Sequence, residues 1–435
     1  MSDQISLSLR NFRSIESADI ALNGITVVTG INGCGKSTIS RTLYRLIRLS
    51  ADYENIFIQR SKEIDLEWSF FDRVLNLVLS SDFPVTFRKL INKSVSSYKD
   101  LYLEYADQAI KKAQSLDSQK SSNLADKIKS VVTFDKESNL IQILEQIKER
   151  IRLYFQTLEI QINKHDISLL EAHLQNEFQQ RIDVENCLTV KEKGSVITNW
   201  TNKTLYSLFY VDNVVYIDSP MAVGVSYDIS NVPLVPFHWL ELNKNLNNPP
   251  LEANPYSVLI DYIKTQIIHG SISRNELVLD DNKLSFTLEN TNQSFDIEQC
   301  ATGIKAFAAI LLLLQNGTLN DRTLLILDEP EAHLHPEWVV EYARLLVLLH
   351  EKVKLRLFIA SHDSDFVSAL KNIADAKKLG ENVVNFYLAK PNDERPVRYN
   401  YTRLNNNTGP IHKEFNNAFD LTDKYCDEFE SEAAK

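Results

Sequence analysis

The sequence predicts an α/β fold: a mixed sheet with a mostly parallel core, helices on both faces, and an inserted helical lobe. Three observations carry this. Continuous apolar runs at 324–327, 357–360 and 383–388 alternate with helical patterns. A similar run at 25–28 opens onto a glycine loop and then a helix-like segment. Between these ends, from about 85 to 193, the chain has no glycine and no proline. Parallel strands covered on both faces read as unbroken apolar runs, and a tract without helix breakers favours helix.

Composition bounds what such a fold does. At about 100 to 200 residues per domain, 435 residues allow two or three domains. Hydrophobic residues make up 44% and charged residues 24%, an ordinary globular balance. Lys plus Arg number 47 against 58 Asp plus Glu, a net charge of −11, which opposes non-specific adhesion to nucleic acid or anionic lipid and leaves room only for a local basic groove. The apolar run at 306–314 falls short of the ~20 residues of a membrane span, and the N-terminus carries neither a signal nor a transit pattern. The expectation is a cytoplasmic protein with no membrane partner. Cys34, Cys187, Cys300 and Cys426 are far apart and form no CxxC pair, so neither a zinc site nor a disulfide framework is expected.

In chain order, Ile5, Leu7 and Leu9 alternate with polar residues, as do Ala18, Ile20 and Leu22, and 25–28 forms a buried strand ending at Gly30. The pattern predicts a helix over 38–49. On it Arg41, Arg45 and Arg48 share one face, which reads as a solvated surface rather than a track for a nucleic-acid backbone. In the middle tract, Tyr102, Tyr105, Ala106 and Ala109 recur at helical spacing, and so do Leu140, Ile143, Leu144, Ile147, Ile151 and Tyr154. The Ser and Lys residues of 115–122 suggest a turn between helices. Segments 276–279 and 284–288 suggest a hairpin around a polar turn. A helix over 302–315 has Asn316 and Gly317 where a left-handed cap belongs. The acidic tail from Lys413 suggests one helix docked through Phe415, Ala418, Phe419 and Leu421. The resulting division is 1–84 and 196–435 for the α/β head and 85–195 for the helical insertion.

Chemistry concentrates in two segments. Gly30-Ile31-Asn32-Gly33-Cys34-Gly35-Lys36-Ser37-Thr38 fits GxxxxGK[ST] between a strand and a helix. A polyphosphate needs inward-pointing backbone N–H groups, which Asn32, Gly33, Cys34 and Gly35 supply, and the positive end of a helix. Lys36 would reach the β and γ phosphates, Ser37 a magnesium ion, and Thr38 the α phosphate. In Leu324-Leu325-Ile326-Leu327-Asp328-Glu329-Pro330, Asp328 ends a buried strand, where a charge requires a cation. Magnesium meets that requirement, and Glu329 would face the water that attacks the γ phosphate.

These segments resemble the Walker A and Walker B motifs of ABC-type ATPases of the SMC, RecF and OLD-like group. The run Asp328-Glu329-Pro330-Glu331-Ala332-His333-Leu334-His335-Pro336 and the opening Arg10-Asn11-Phe12-Arg13-Ser14-Ile15 are similar to the same group. The resemblance implies a P-loop NTPase head that binds ATP and magnesium and forms a homodimer or higher oligomer by closing nucleotides between two copies. It places Ala301-Thr302-Gly303-Ile304-Lys305 where the signature touches the partner's γ phosphate, although the segment departs from LSGGQ. It also makes His362 a γ-phosphate switch that joins Lys36 and Glu329 in catalysis, and brings Arg13 to the nucleotide. His333 and His335 would lie at the dimer contact or cover the start of the following helix. The glutamine that ligates magnesium in such heads has no clear counterpart, and Gln59 stands near its place only by position.

The interval between Thr38 and Thr302 is longer than in transporter subunits, which disfavours a transporter. Only about 60 residues follow Leu370, too few for a TOPRIM nuclease domain of usual size. The chain is similar to Septu-type PtuA and retron-associated ATPases, which work with a separate nuclease or toxin. The expectation is an ATPase whose dimerisation controls such an effector in antiviral defence. The alternative is an SMC- or RecF-like ATPase of DNA repair that clamps DNA itself.

Overall fold

The computed structural model describes residues 5–79, 94–130, 138–224, 236–274, 284–291, 293–380 and 383–433. The chain begins with β1 (Ile5–Phe12), β2 (Ile15–Ala21), β3 (Ile25–Thr29) and α1 (Lys36–Ala51). Helices α2 (Tyr53–Ile64), α3 (Leu66–Leu79), α4 (Val95–Gln114), α5 (Ser118–Lys129), α6 (Leu140–Asn163), α7 (Ser168–Phe178) and α8 (Val184–Cys187) follow. Next come β4 (Leu188–Glu192), β5 (Ser195–Val196), β6 (Thr198–Asn199), β7 (Thr204–Leu205), β8 (Asn213–Ile217), α9 (Phe237–Leu246) and α10 (Ser257–Tyr262). Strands β9 (Gly270–Arg274), β10 (Leu284–Leu288) and β11 (Ser294–Asp296) precede α11 (Thr302–Gln315), β12 (Thr323–Asp328), α12 (Pro336–Val353) and β13 (Arg356–Ser361). The chain closes with α13 (Ser364–Ala376), β14 (Val384–Pro391), β15 (Tyr399–Asn405) and α14 (Gly409–Ala433).

Contacts divide the chain into two compact units. One comprises Met1–Ala51, Leu170–Thr198 and Ser207–Lys435; the other comprises Asp52–Leu169 and Asn199–Tyr206. The first is built on a mixed sheet in the order β5-β4-β1-β2-β15-β14-β3-β13-β12-β8. From β14 to β8 every neighbour is parallel, and β1, β2 and β4 pair antiparallel at the other side. The central strands β3 and β12 are buried along their whole length, as expected where helices cover both faces. Helix α11 is apolar around most of its circumference, and its residues from Lys305 to Leu314 are all buried. It ends at Asn316, and Gly317 takes the left-handed conformation with φ 75°.

Several elements differ from the sequence reading. Strand β4 lies inside the tract read as helical and pairs with β1 through Leu188 and Val190. The turn between α4 and α5 is short, and the Ser and Lys residues from Ser118 onward belong to α5, capped by Asp117. Strand β10 pairs with β9, whereas 276–279, read as its partner, lies outside the described residues. In α14, Phe415 packs on the main core and Leu421 is exposed; the side chains of Ala418 and Phe419 are outside the description.

The second unit contains α2 to α6 around a core of its own. Helix α6 begins with a capping box, in which Asn139 and Gln142 each bond the other's backbone N–H. Its buried stripe runs through Ile143, Ile147, Ile151 and Phe155. Trp68 lies at the centre, edge-on to Tyr98, Tyr102, Tyr154 and Phe155. Its indole N–H donates to the Tyr102 hydroxyl at 2.7 Å, and that hydroxyl donates to Asp72. Replacing Tyr102 by Phe leaves a buried indole N–H and a part-buried carboxylate without this bridge. Tyr102→Phe should therefore lower stability by about 1–3 kcal/mol, read as a drop in urea midpoint at unchanged m-value.

Candidate active site

The phosphate-loop segment leaves the sheet at the carboxyl end of β3, flanked by β14 and β13, both parallel to it. Its three glycines have φ of 149° (Gly30), 83° (Gly33) and 102° (Gly35), values that side-chain-bearing residues rarely adopt. Space matters at two of them. A Cβ on Gly30 would meet Ala389 Cβ at 2.8 Å, and one on Gly35 would meet Ile15 Cγ1 and Ser14 Oγ at 2.8 Å. Nothing lies within 4 Å of the Cβ direction of Gly33, so the loop is open there to an incoming group. Cys34 faces the interior, where the Tyr401 hydroxyl donates to its carbonyl at 3.3 Å. Lys36 is buried and folded back, with Nζ donating to the carbonyls of Gly30 at 2.8 Å and Ile31 at 3.2 Å.

Around this loop opens a cleft of about 670 Å³ lined by Arg13, Ser14, Asn32, Gly33, Gly35, Lys36, Ser37, Thr38, Gln180 and Glu329. Helix α1 has no acidic residue in its first turn, so its positive end is not neutralised there. Arg13 sits at the β1–β2 turn with φ 54°, its guanidinium 4.7 Å from the centre of the Phe178 ring.

Asp328 ends β12 and is buried. Its Oδ2 accepts the Tyr216 hydroxyl at 2.8 Å and its Oδ1 accepts the Ser40 hydroxyl, with the Ser37 side chain close by. Burial pushes its carboxyl above the ordinary range against the pull of the neighbouring hydroxyls. Among the described residues no cation pairs with it. A buried carboxylate served only by hydroxyls, beside the exposed Ser37, is a donor set that fits magnesium. No group of three or more His, Cys, Asp or Glu among the described residues could hold a metal unaided, so such an ion would take further oxygens from a bound phosphate. Behind Asp328, Tyr216 packs on the His238 ring at 4.5 Å, and His238 Nε2 and Trp239 Nε1 lie 2.7 and 2.6 Å from the two oxygens of Asp218.

Glu329 turns out of the strand with φ 48°, and its N–H donates to the Ala360 carbonyl at 2.7 Å. This left-handed residue points its carboxylate into the cleft, with Oε1 3.3 Å from His362 Nδ1. Lys36, Ser37, Asp328, Glu329 and His362 thus gather at the carboxyl ends of β3, β12 and β13, where ligands collect in parallel sheets. Thr302 and Gly303 do not line this cleft. They begin α11 after the exposed Ala301, which provides no side-chain cap, and Gly303 is buried with the Trp338 ring where its Cβ would be. His335 caps α12 by accepting the Glu337 N–H, ahead of Pro336. Gln59 lies on α2, in the second unit.

The arginine face of α1 differs from the sequence reading. Arg45 pairs with Glu177 and Arg48 with Glu241, and Arg41 Nη1 is 3.7 Å from Glu177. These cations hold neighbouring segments and do not form a solvated face. Ser14 and Glu331 stand inside the family-like segments without an assigned role, and Ser40, Gln180 and Tyr216 have no part in the sequence reading of the site. Gln180 and Tyr216 come from segments far from the motifs, and the apolar residues Val214 to Ile217 are the signal that marks a strand there.

No curated protein matches this sequence. Among solved structures, the Smc head domain with an extended coiled coil bound to the C-terminal domain of ScpA, from Pyrococcus furiosus, is similar at 13% identity and TM-score 0.35, covering 97% of this chain and 98% of that one. CbiO1 of Clostridium perfringens, part of the ABC transporter complex cbiONQ, is similar at 11% identity and TM-score 0.37, covering 97% and 96%. The SMC head domain of Thermotoga maritima is similar at 10% identity and TM-score 0.35, covering 92% and 98%. The family profile described as AAA ATPase domain matches residues 5–367, a span that includes the phosphate loop, Asp328, Glu329 and His362, and the chain belongs to that family.

Proposed function

We propose that this chain is a magnesium-dependent ATPase, that two copies close on shared nucleotides, and that this closing controls a separate effector protein, a nuclease or toxin, in antiviral defence. The observation that carries the enzymatic part is one cleft lined by the glycine cradle, Lys36, Ser37 and Glu329, with Asp328 buried at the adjoining strand end and His362 beside Glu329. Backbone N–H groups of Asn32 to Gly35 and the start of α1 would hold the phosphates. Lys36, now bonded to Gly30 and Ile31 carbonyls, would exchange these for phosphate oxygens, and Thr38 would hold the α phosphate. Held by Ser37 and Asp328, a magnesium ion would supply positive charge to the β and γ oxygens. Glu329 would orient the attacking water and receive its proton, with His362 beside it to sense the γ phosphate. Arg13 lies on the same rim and would steady the nucleotide.

Thr302 and Gly303 would act in trans. They stand outside their own cleft at an uncapped helix start, so a phosphate would reach them from a second copy. Effector control and antiviral defence rest on the resemblance of the motifs to Septu and retron-associated ATPases. The DNA-clamping alternative has less support, because the net charge is −11 and the arginines of α1 are engaged with Glu177 and Glu241. A strongly salt-dependent affinity of the purified chain for duplex DNA would reverse that preference.

Lys36→Ala should weaken binding of a fluorescent ATP analogue by roughly 10- to 100-fold, the loss expected for charge-assisted hydrogen bonds. Glu329→Gln should bind ATP normally and release phosphate roughly 10²- to 10⁴-fold more slowly. With magnesium and ATP it should also accumulate a dimer, visible by light scattering. Normal turnover by Glu329→Gln would remove that carboxylate from the mechanism.

A further inference from the structure

Two residues beyond Glu329, a second carboxylate turns inward. Glu331 is 6% exposed. Its Oε1 accepts the Ser361 hydroxyl at 2.8 Å and the His362 N–H at 3.0 Å, and lies 3.5 Å from His362 Nδ1. Its Oε2 is buried with no hydrogen-bond partner among the described residues. Burial pushes this carboxyl above its ordinary range, against the donors from the end of β13. Placing a carboxyl in such a position costs free energy, and an apolar residue would fill the volume without that cost.

The geometry shows what the carboxyl does there. His362 is the first residue after β13, and its side chain is 42% exposed. Nothing in a strand end dictates where the next side chain points. Here Glu331 bonds the main-chain N–H of His362 and the hydroxyl of Ser361. The Ser361 oxygen in turn accepts the Asp363 N–H at 3.1 Å, and Asp363 caps α13 by accepting the Phe366 N–H at 2.6 Å. One buried carboxylate therefore fixes the backbone of His362, and the ring's Nδ1 then lies between Glu331 at 3.5 Å and Glu329 at 3.3 Å.

We infer that Glu331 is a positioning residue that acts through His362, holding the imidazole within reach of the cleft-facing Glu329 carboxylate. The inference rests on the proposed roles of Glu329 and His362. Glu331→Ala should lower kcat for ATP hydrolysis by roughly 10- to 100-fold, the penalty of a misplaced group near the chemistry, while the affinity for a fluorescent ATP analogue stays within about threefold. Glu331→Gln keeps a carbonyl oxygen for the Ser361 and His362 donors and should restore most of the lost rate. In a His362→Ala background Glu331→Ala should cost almost nothing more, because the two act as a unit.

Unchanged kcat in Glu331→Ala overturns the inference, and so does a loss that persists in full in the His362→Ala background. If Glu331→Ala fails to fold, Glu331→Asp and Glu331→Gln decide. The shortened Asp should lose rate and Gln should retain it; equal rates, or the reverse order, overturn the inference. The control separates the two levels: wild-type turnover by Glu329→Gln or His362→Ala means that the reading of the site has failed. Impaired turnover in both, with normal turnover in Glu331→Ala, means that only the role of Glu331 has.

Discussion

A carboxylate buried at the tip of a parallel strand constrains the rest of the head. Asp328 is held by hydroxyls from Ser40 of α1 and Tyr216 of β8, so three chain segments must arrive at one point. The sheet secures this through register. Leu327 stands opposite Ile217, Asp328 opposite Ala360, and Ala360 opposite Val28, which aligns the ends of β8, β12, β13 and β3. A slip of one residue in any of these pairings would turn its side chains to the wrong face and pull the hydroxyls away from the carboxylate. The apolar lengths of β3 and β12, buried throughout, thus fix where the chemistry sits.

This explains which parts of the molecule the sequence disclosed. Strands β3, β12, β13 and β14 and helix α11 carry continuous apolar runs, and each lies where its pattern indicated. Lys36, Ser37, Asp328 and Glu329 belong to local motifs that the parallel strands bring to one end of the sheet, and His362, singled out by the family resemblance, stands at the end of β13 beside Glu329. Strand β15 was illegible because it buries Tyr399 and Tyr401 between polar residues, and β4 because a tract without glycine or proline reads as helix. The arginines of α1 show the limit most clearly. Spacing gave the shared face, but the acids that meet it are Glu177 and Glu241, 132 and 193 residues from their partners, and no local pattern carries that information. Glu331 was visible as a residue of the motif, yet nothing in the motif says that it points inward.

The segment after β12 joins the site to the start of α11, whose amides are proposed to meet a second copy. Glu329 and His333 both adopt left-handed φ, 48° and 64°, a conformation that costs of order 1–3 kcal/mol for a residue with a side chain. Local bonds offset the cost: the Glu329 N–H reaches Ala360, Ala332 N–H reaches the Glu329 carbonyl, and Leu334 N–H reaches the Glu331 carbonyl. The resulting tight turn ends at His335, which caps α12, and one turn into that helix Trp338 covers Gly303. No side chain larger than hydrogen fits at that contact without displacement. A shift of Glu329 or Glu331 would therefore bear on the start of α12, and through Trp338 on the start of α11. The carboxylate proposed to orient water and the amides proposed to meet a second nucleotide are parts of one packed unit, which would give a bound γ phosphate a physical route to influence the proposed contact between copies.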